Sequence, residues 1–160
     1  MSGSTAKHWL CGVQLDEKTL VRRRPEVEHE RAIAIYDLLE ENHFQPIGDF
    51  SGPYFLHIRL EENRLVLDIR SEDDTPLTEI TLPMLPFRSI IKDYFLVCES
   101  YYGAIKRAMP SQIEAIDMGR RGLHDEGSEL LRERLSGKVE VDLGTARRLF
   151  TLVCVLHIRG

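Results

Sequence analysis

Between residues 54 and 70 the chain reads YFLHIRL, then Glu61-Glu62-Asn63, then RLVLDIR. Each run alternates apolar and polar side chains at the period of a strand with one buried face. If Glu62 and Asn63 form a two-residue turn, Leu60 pairs with Leu65, Ile58 with Leu67 and Leu56 with Ile69 on that face. The opposite face then pairs His57 with Asp68, with Arg59 and Arg70 near by. Ser71 to Pro76 make a second turn, and Thr78, Ile80 and Leu82 return on a third strand. Near the amino terminus Trp9, Cys11, Val13 and Leu15 alternate in the same way, a strand signal weakened by Gly12. An antiparallel sheet with one apolar face needs a helical layer to cover it.

The remaining segments supply that layer. Pro25 suits a first helical position, Glu26, Glu28 and Glu30 complement the positive end of the helix dipole, and Asn42 can end the helix. Ala32, Ile35, Leu38 and Leu39 are its expected inward residues, while Asp37, Glu40 and Glu41 stay wet. From Pro86 to Ala108, Phe87, Ile91, Tyr94, Cys98, Tyr101, Ile105 and Ala108 recur at alternating spacings of four and three. That is one apolar stripe along about six turns, and it nominates this helix as the central one. Pro110 stops it, and Ser111-Gln112-Ile113-Glu114 reads as a capping box that opens the next helix. A short strand at Lys138–Val141 precedes a last helix from about Asp142. Its run from Leu149 to Leu156 is apolar nearly all round, as in a helix buried in the fold or in an oligomer interface.

The sequence therefore predicts an α+β fold: a small, mainly antiparallel sheet of three to four strands packed on one face by a layer of helices. A chain of 160 residues and 18.5 kDa suits one domain, here residues 9–160 after a flexible tail at 1–8. The net charge of -5 offers no global attraction to nucleic acid or an anionic membrane, so neither is an expected partner and any anion site is local. The run Leu149–Ile158 is about half the length that spans a bilayer, and MSGSTAKHW lacks the apolar run of a secretory signal. A cytoplasmic location follows as the default. Cys11, Cys98 and Cys154 are odd in number, far apart and without a C-x-x-C pair, which fits neither a disulfide framework nor a zinc site.

The most informative segment is DMGRRGLHDEGSELL, Asp117 to Leu131. Gly119, Gly122 and Gly127 each cost helix stability about 1 kcal/mol relative to Ala, so backbone shape is the expected reason for them: a break near Gly119, with Asp125 as the next N-cap. One reading gathers Arg120, Arg121 and His124 at that junction as a site for a phosphate or carboxylate. The other has Gly119 and Gly122 admit a close helix neighbour while the arginines pair with Asp125, Glu126 and Glu129 or with a partner subunit.

The runs FRSIIKDYFLVCESYYGAI, PSQIEAIDMGRRGLHDEGSELL and VDLGTARRLFTLVCVLH, with EVEHERAIAIYDLLEENHF, resemble the segments of the bacterial uncharacterised protein family 0262. The resemblance covers nearly the whole chain from about Leu15. It implies a single compact bacterial domain and supplies no activity, cofactor or catalytic residue.

Familiar chemistry finds little anchorage. His29-Glu30 begins like a zincin, but position 33, where the second ligand belongs, is Ile. Cys98 has no arginine close behind it to share a phosphate, and it lies on an apolar stripe like an inert thiol. No phosphate-binding glycine loop or nucleophile elbow occurs, and Gly119-x-x-Gly122 matches a KH clamp only as a string. His57 facing Asp68 suits either a general base or an ordinary charged sheet face. Arg22–Arg24 form a second basic cluster. The expectation is a non-enzymatic binding or regulatory module that acts through protein contacts and self-associates, without a metal or cofactor. The alternative is an enzyme or sensor whose small anionic ligand meets Arg120, Arg121 and His124.

Overall fold

The structure, a computed structural model, describes residues 7–16 and 25–157. Most of the predicted tail (1–6) and the Arg22–Arg24 cluster lie outside the described residues. The hairpin forms in the register that its pattern dictates. β3 (Tyr54–Glu61) and β4 (Arg64–Ser71) pair Leu60 with Leu65, Ile58 with Leu67 and Leu56 with Ile69. β5 (Pro76–Pro83) adds antiparallel to β4, setting Thr78, Ile80 and Leu82 on the same face. β1 (Leu10–Leu15) lies on the other edge, parallel to β3.

β1 corrects one expectation. A register shift between Leu10 and Gly12 breaks its alternation, so Leu10 and Leu15 are buried whereas Trp9 is 43% exposed. A second, two-stranded sheet, β2 (Phe44–Pro46) with β6 (Val139–Val141), buries Phe44, Val139 and Val141.

α1 (Pro25–Glu40) starts at the expected proline, and the segment after it is closed by Asn42. The Asn42 amide donates to the Leu38 carbonyl at 2.7 Å and the Leu10 carbonyl at 3.2 Å, while its oxygen accepts the Leu10 N–H at 2.7 Å. Three backbone groups from a helix and a strand thus find partners in one side chain. The helix is rotated from the predicted face: Ala34 and Leu38 are buried, while Ala32 is exposed and Leu39 is 39% exposed.

α2 (Leu85–Arg107) buries Phe87, Ile91, Tyr94 and Cys98, but its stripe then runs beyond the core, leaving Ile105 52% exposed. The central helix is instead α4 (Leu143–His157), which packs on α1, on α3 (Pro110–Leu135) and on β3, whereas α2 packs chiefly on α3. α4 is buried nearly all round, through Leu149, Phe150, Leu152, Val153 and Val155. Asp142 accepts the Thr145 N–H at 2.9 Å and caps it.

α3 (Pro110–Leu135) overturns the predicted break. It is one continuous helix of 26 residues, about 39 Å long at 1.5 Å per residue, with Pro110 opening it and Gln112 accepting the Met109 N–H. Gly119 and Gly122 face open space, so neither admits a neighbour. Only Gly127 does: a Cβ there would lie 2.1 Å from Phe150 Cζ. Packing of Gly127, Ser128, Leu131 and Leu135 against the core holds the rod together despite the propensity cost upstream.

Candidate functional site

All four helices contribute to a cleft of about 640 Å³. α1 provides Glu30, Ile33, Ala34 and Asp37, and α2 provides Tyr94. α3 provides Arg120, Arg121, His124 and Asp125, and α4 provides Gly144, Arg147, Arg148 and Thr151. The three residues nominated by the sequence do meet here, but on an unbroken helix rather than at a junction, and in three different states.

Arg120 is held on every side. It bonds Asp117 at 2.6 and 3.1 Å, lies 3.7 Å from Glu30, and stacks 4.6 Å from the Tyr101 ring centre. Burial works against its charge, yet the Asp117 hydrogen bond and its neighbours outweigh that and hold the guanidinium above its ordinary pKa. The same bond holds Asp117 below the usual carboxylate range. Glu30 also accepts the Tyr102 hydroxyl at 2.7 Å. Arg120 is thus a strut between α1, α2 and α3.

His124 contributes no cation. Burial lowers its pKa to about 4, and its ring lies 5.6 Å from the Tyr94 ring and 5.3 Å from the Phe150 ring. Thr151 Oγ1 donates to the Arg147 carbonyl at 3.2 Å, which leaves it to accept from His124 Nε2–H at 2.7 Å. The histidine is a neutral tie between α3 and α4.

The accessible positive charge lies along the rim. Arg121 is 65% exposed with Asp117 at 3.2 Å. Arg147 is 49% exposed with Asp125 at 2.8 Å, so Asp125, predicted as an N-cap, is a mid-helix ion-pair partner. Arg148 donates to the Gly144 carbonyl at 3.0 Å and forms no ion pair among the described residues. A Cβ on Gly144 would come within 3.0 Å of the Arg148 guanidinium, so glycine leaves it room. Exposed pairs such as Arg147–Asp125 are worth less than about 1 kcal/mol.

The sequence analysis did not bring Arg147 and Arg148 to this site. The Asp117 pairs were legible at spacings of three and four along a helix. Contacts between helices, such as Arg147–Asp125 and Glu30–Arg120, leave no such local signal.

Elsewhere, His57 stands opposite Asp68 as predicted, but its ring bonds two other carboxylates: Nδ1 meets Asp16 at 3.1 Å and Nε2 meets Asp74 at 2.9 Å. His57 is only 6% exposed, so it departs from an ordinary solvated strand face. Around it the face does carry ion pairs, Arg70 with Asp68 at 2.8 Å and Arg59 with Glu79 at 3.1 Å. Burial raises the Cys98 thiol to about 11 and pushes Cys154 up as well; neither is a ready thiolate. Among the described residues no His, Cys, Asp or Glu cluster is arranged to hold a metal, and no helix is long and apolar enough to cross a membrane.

The architecture and cleft define an α+β protein with an arginine-rimmed helical cleft. Residues 7–159 match the model of the uncharacterised protein family UPF0262, and the chain belongs to that family. It is 68% identical over 151 residues to a UPF0262 protein of Paramagnetospirillum magneticum, covering 94% of this chain and 96% of the relative. A UPF0262 protein of Rhodospirillum rubrum is 64% identical over 151 residues, covering 94% and 93%. One from Azorhizobium caulinodans is 61% identical over 162 residues, covering 100% of each chain. No solved structure matches the chain.

Proposed function

We propose that this chain is a non-enzymatic, cytoplasmic binding module that holds a small carboxylate- or phosphate-bearing ligand in the four-helix cleft. The observation that carries the reading is the convergence of Arg121, Arg147 and Arg148 on one cavity. Their guanidinium forks match the paired oxygens of such groups. Beneath them His124 is neutral and tied to Thr151.

Thermal unfolding with phosphate and a panel of small carboxylates tests this. A ligand at a hundredfold its Kd adds about 2.7 kcal/mol, or roughly 5–10 °C for a chain of this size. The Arg147→Gln/Arg148→Gln double variant should lose the shift. Absence of any shift in the parent protein sinks the reading.

A second reading, contact with a protein or a second copy of this chain, is favoured by exposed apolar side chains. Ile33 and Tyr36 of α1 are 45% and 66% exposed, and Met109 and Met118 at the far end of the α2–α3 pair are 67% and 61% exposed. Sedimentation across a concentration series tests it: a monomer throughout removes self-association.

A further inference from the structure

The cleft has a second wall of opposite sign. Asp37 and Glu30 line it from α1, while Arg147 and Arg148 line it from α4. Between them the floor is apolar, with Ala34 and Tyr94 6% and 5% exposed. Glu30 is engaged by the Tyr102 hydroxyl and by Arg120. Asp37 is half-buried and has no ion pair among the described residues.

A ligand that is only an anion would meet the arginines of this cavity but leave its acidic wall without a partner. Its charge would satisfy the arginines while lying in the same partly desolvated space as the α1 carboxylates, where like charges repel more strongly than in water. A ligand of matching polarity turns the second wall from a penalty into a recognition element. Such a molecule carries an ammonium at one end and a carboxylate at the other. The cavity volume leaves room for a chain of several carbons between them over the apolar floor.

We infer that the ligand of this cleft is a small zwitterion of the amino-carboxylate class, its carboxylate held by Arg147 and Arg148 and its ammonium by Asp37. The inference rests on the anion-binding reading above and adds a requirement to it. Asp37 thereby becomes a specificity residue, selecting against the plain acids that the arginines alone would accept.

The test is calorimetric titration of the full chain at fixed ionic strength. The probes are glycine, 4-aminobutyrate and 6-aminohexanoate, each against the acid without the amine: acetate, butyrate and hexanoate. At least one amino carboxylate should bind about tenfold or more tightly than its matched acid, a difference well within reach of one charge pair. Asp37→Asn should abolish that preference while plain-acid affinity stays level or rises. Arg148→Gln should weaken both series, with thermal unfolding showing that each variant folds. Equal affinity for the two series, or a preference that survives Asp37→Asn, overturns the zwitterion and leaves the anion reading standing. No binding by either series overturns both.

Discussion

His57 and His124 are both largely enclosed rings, one on the sheet and one between helices, and the molecule treats them in opposite ways. His57 meets a carboxylate at each ring nitrogen, Asp16 on one side and Asp74 on the other, and Arg70 holds Asp74 in turn at 3.0 Å. Asp74 reaches the ring from a left-handed backbone, φ 72°, a conformation that Asp tolerates better than most residues. The His57 hydrogen bond, with Arg70 behind it, lowers the Asp74 pKa. His124 instead faces the Tyr94 and Phe150 rings and the Thr151 and Ser128 hydroxyls, and burial keeps it neutral. Two rings of similar enclosure thus make different contacts, one with carboxylates and one with aromatic rings and hydroxyls.

The largest test of the contrast is pH. The folded-state pKa of His124, about 4, lies below its ordinary 6.5. Its contribution is thus complete above pH 6.5 and is lost as pH falls toward 4, because the unfolded chain takes up the proton first. At about 1.4 kcal/mol per pH unit, the loss is roughly 3 kcal/mol. Urea unfolding across that window should show it, and His124→Gln, which can still donate to Thr151, should flatten the slope by that amount. An unchanged slope would place the pH sensitivity elsewhere.

A somewhat smaller effect is expected at the other histidine. His57→Gln leaves Asp16 and Asp74 without the ring that joins them, and should lower stability by roughly 1–3 kcal/mol. A change below about 0.5 kcal/mol, the size of an ordinary surface substitution, would make the sheet-side cluster ornamental. Asp74→Ala should deepen the comparison: the stability it removes at pH 7 should vanish as pH falls through the lowered Asp74 pKa, because that carboxylate contributes only while ionised.

The smallest effects separate Gly122 and Gly127, the glycines that flank His124 on α3. Gly127→Ala gains about 1 kcal/mol of helix propensity but drives a methyl into Phe150, so the net should be a loss of roughly 1–2 kcal/mol. Gly122→Ala meets nothing within 4 Å and should gain about 1 kcal/mol. Thermal midpoints that move in the same direction for both variants would contradict the packing described for α3 and α4.

How much of this was legible depended on whether a signal was local. Alternation and a tight turn fixed the β3–β4 pairing residue by residue, and the apolar circumference of Leu149–Leu156 announced a buried helix. The short strand read at Lys138–Val141 is β6, but its partner β2, three residues ending in Pro46, falls below the length at which a pattern can be read. The continuity of α3 was hidden because propensity penalises Gly119 and Gly122 while the packing that outweighs them comes from residues distant in sequence. The site was half legible: its arginines stand out as adjacent pairs, but which of them are struts and which are free to meet a ligand depends on contacts from other helices.

Asn42 has a further consequence for the cleft. Because one amide bolts the end of α1 to the edge strand β1, the two cannot part without stranding three main-chain dipoles together, so they yield as a unit or not at all. The acidic wall is thereby anchored to the sheet, which leaves the arginine side chains opposite as the adjustable part of the cleft.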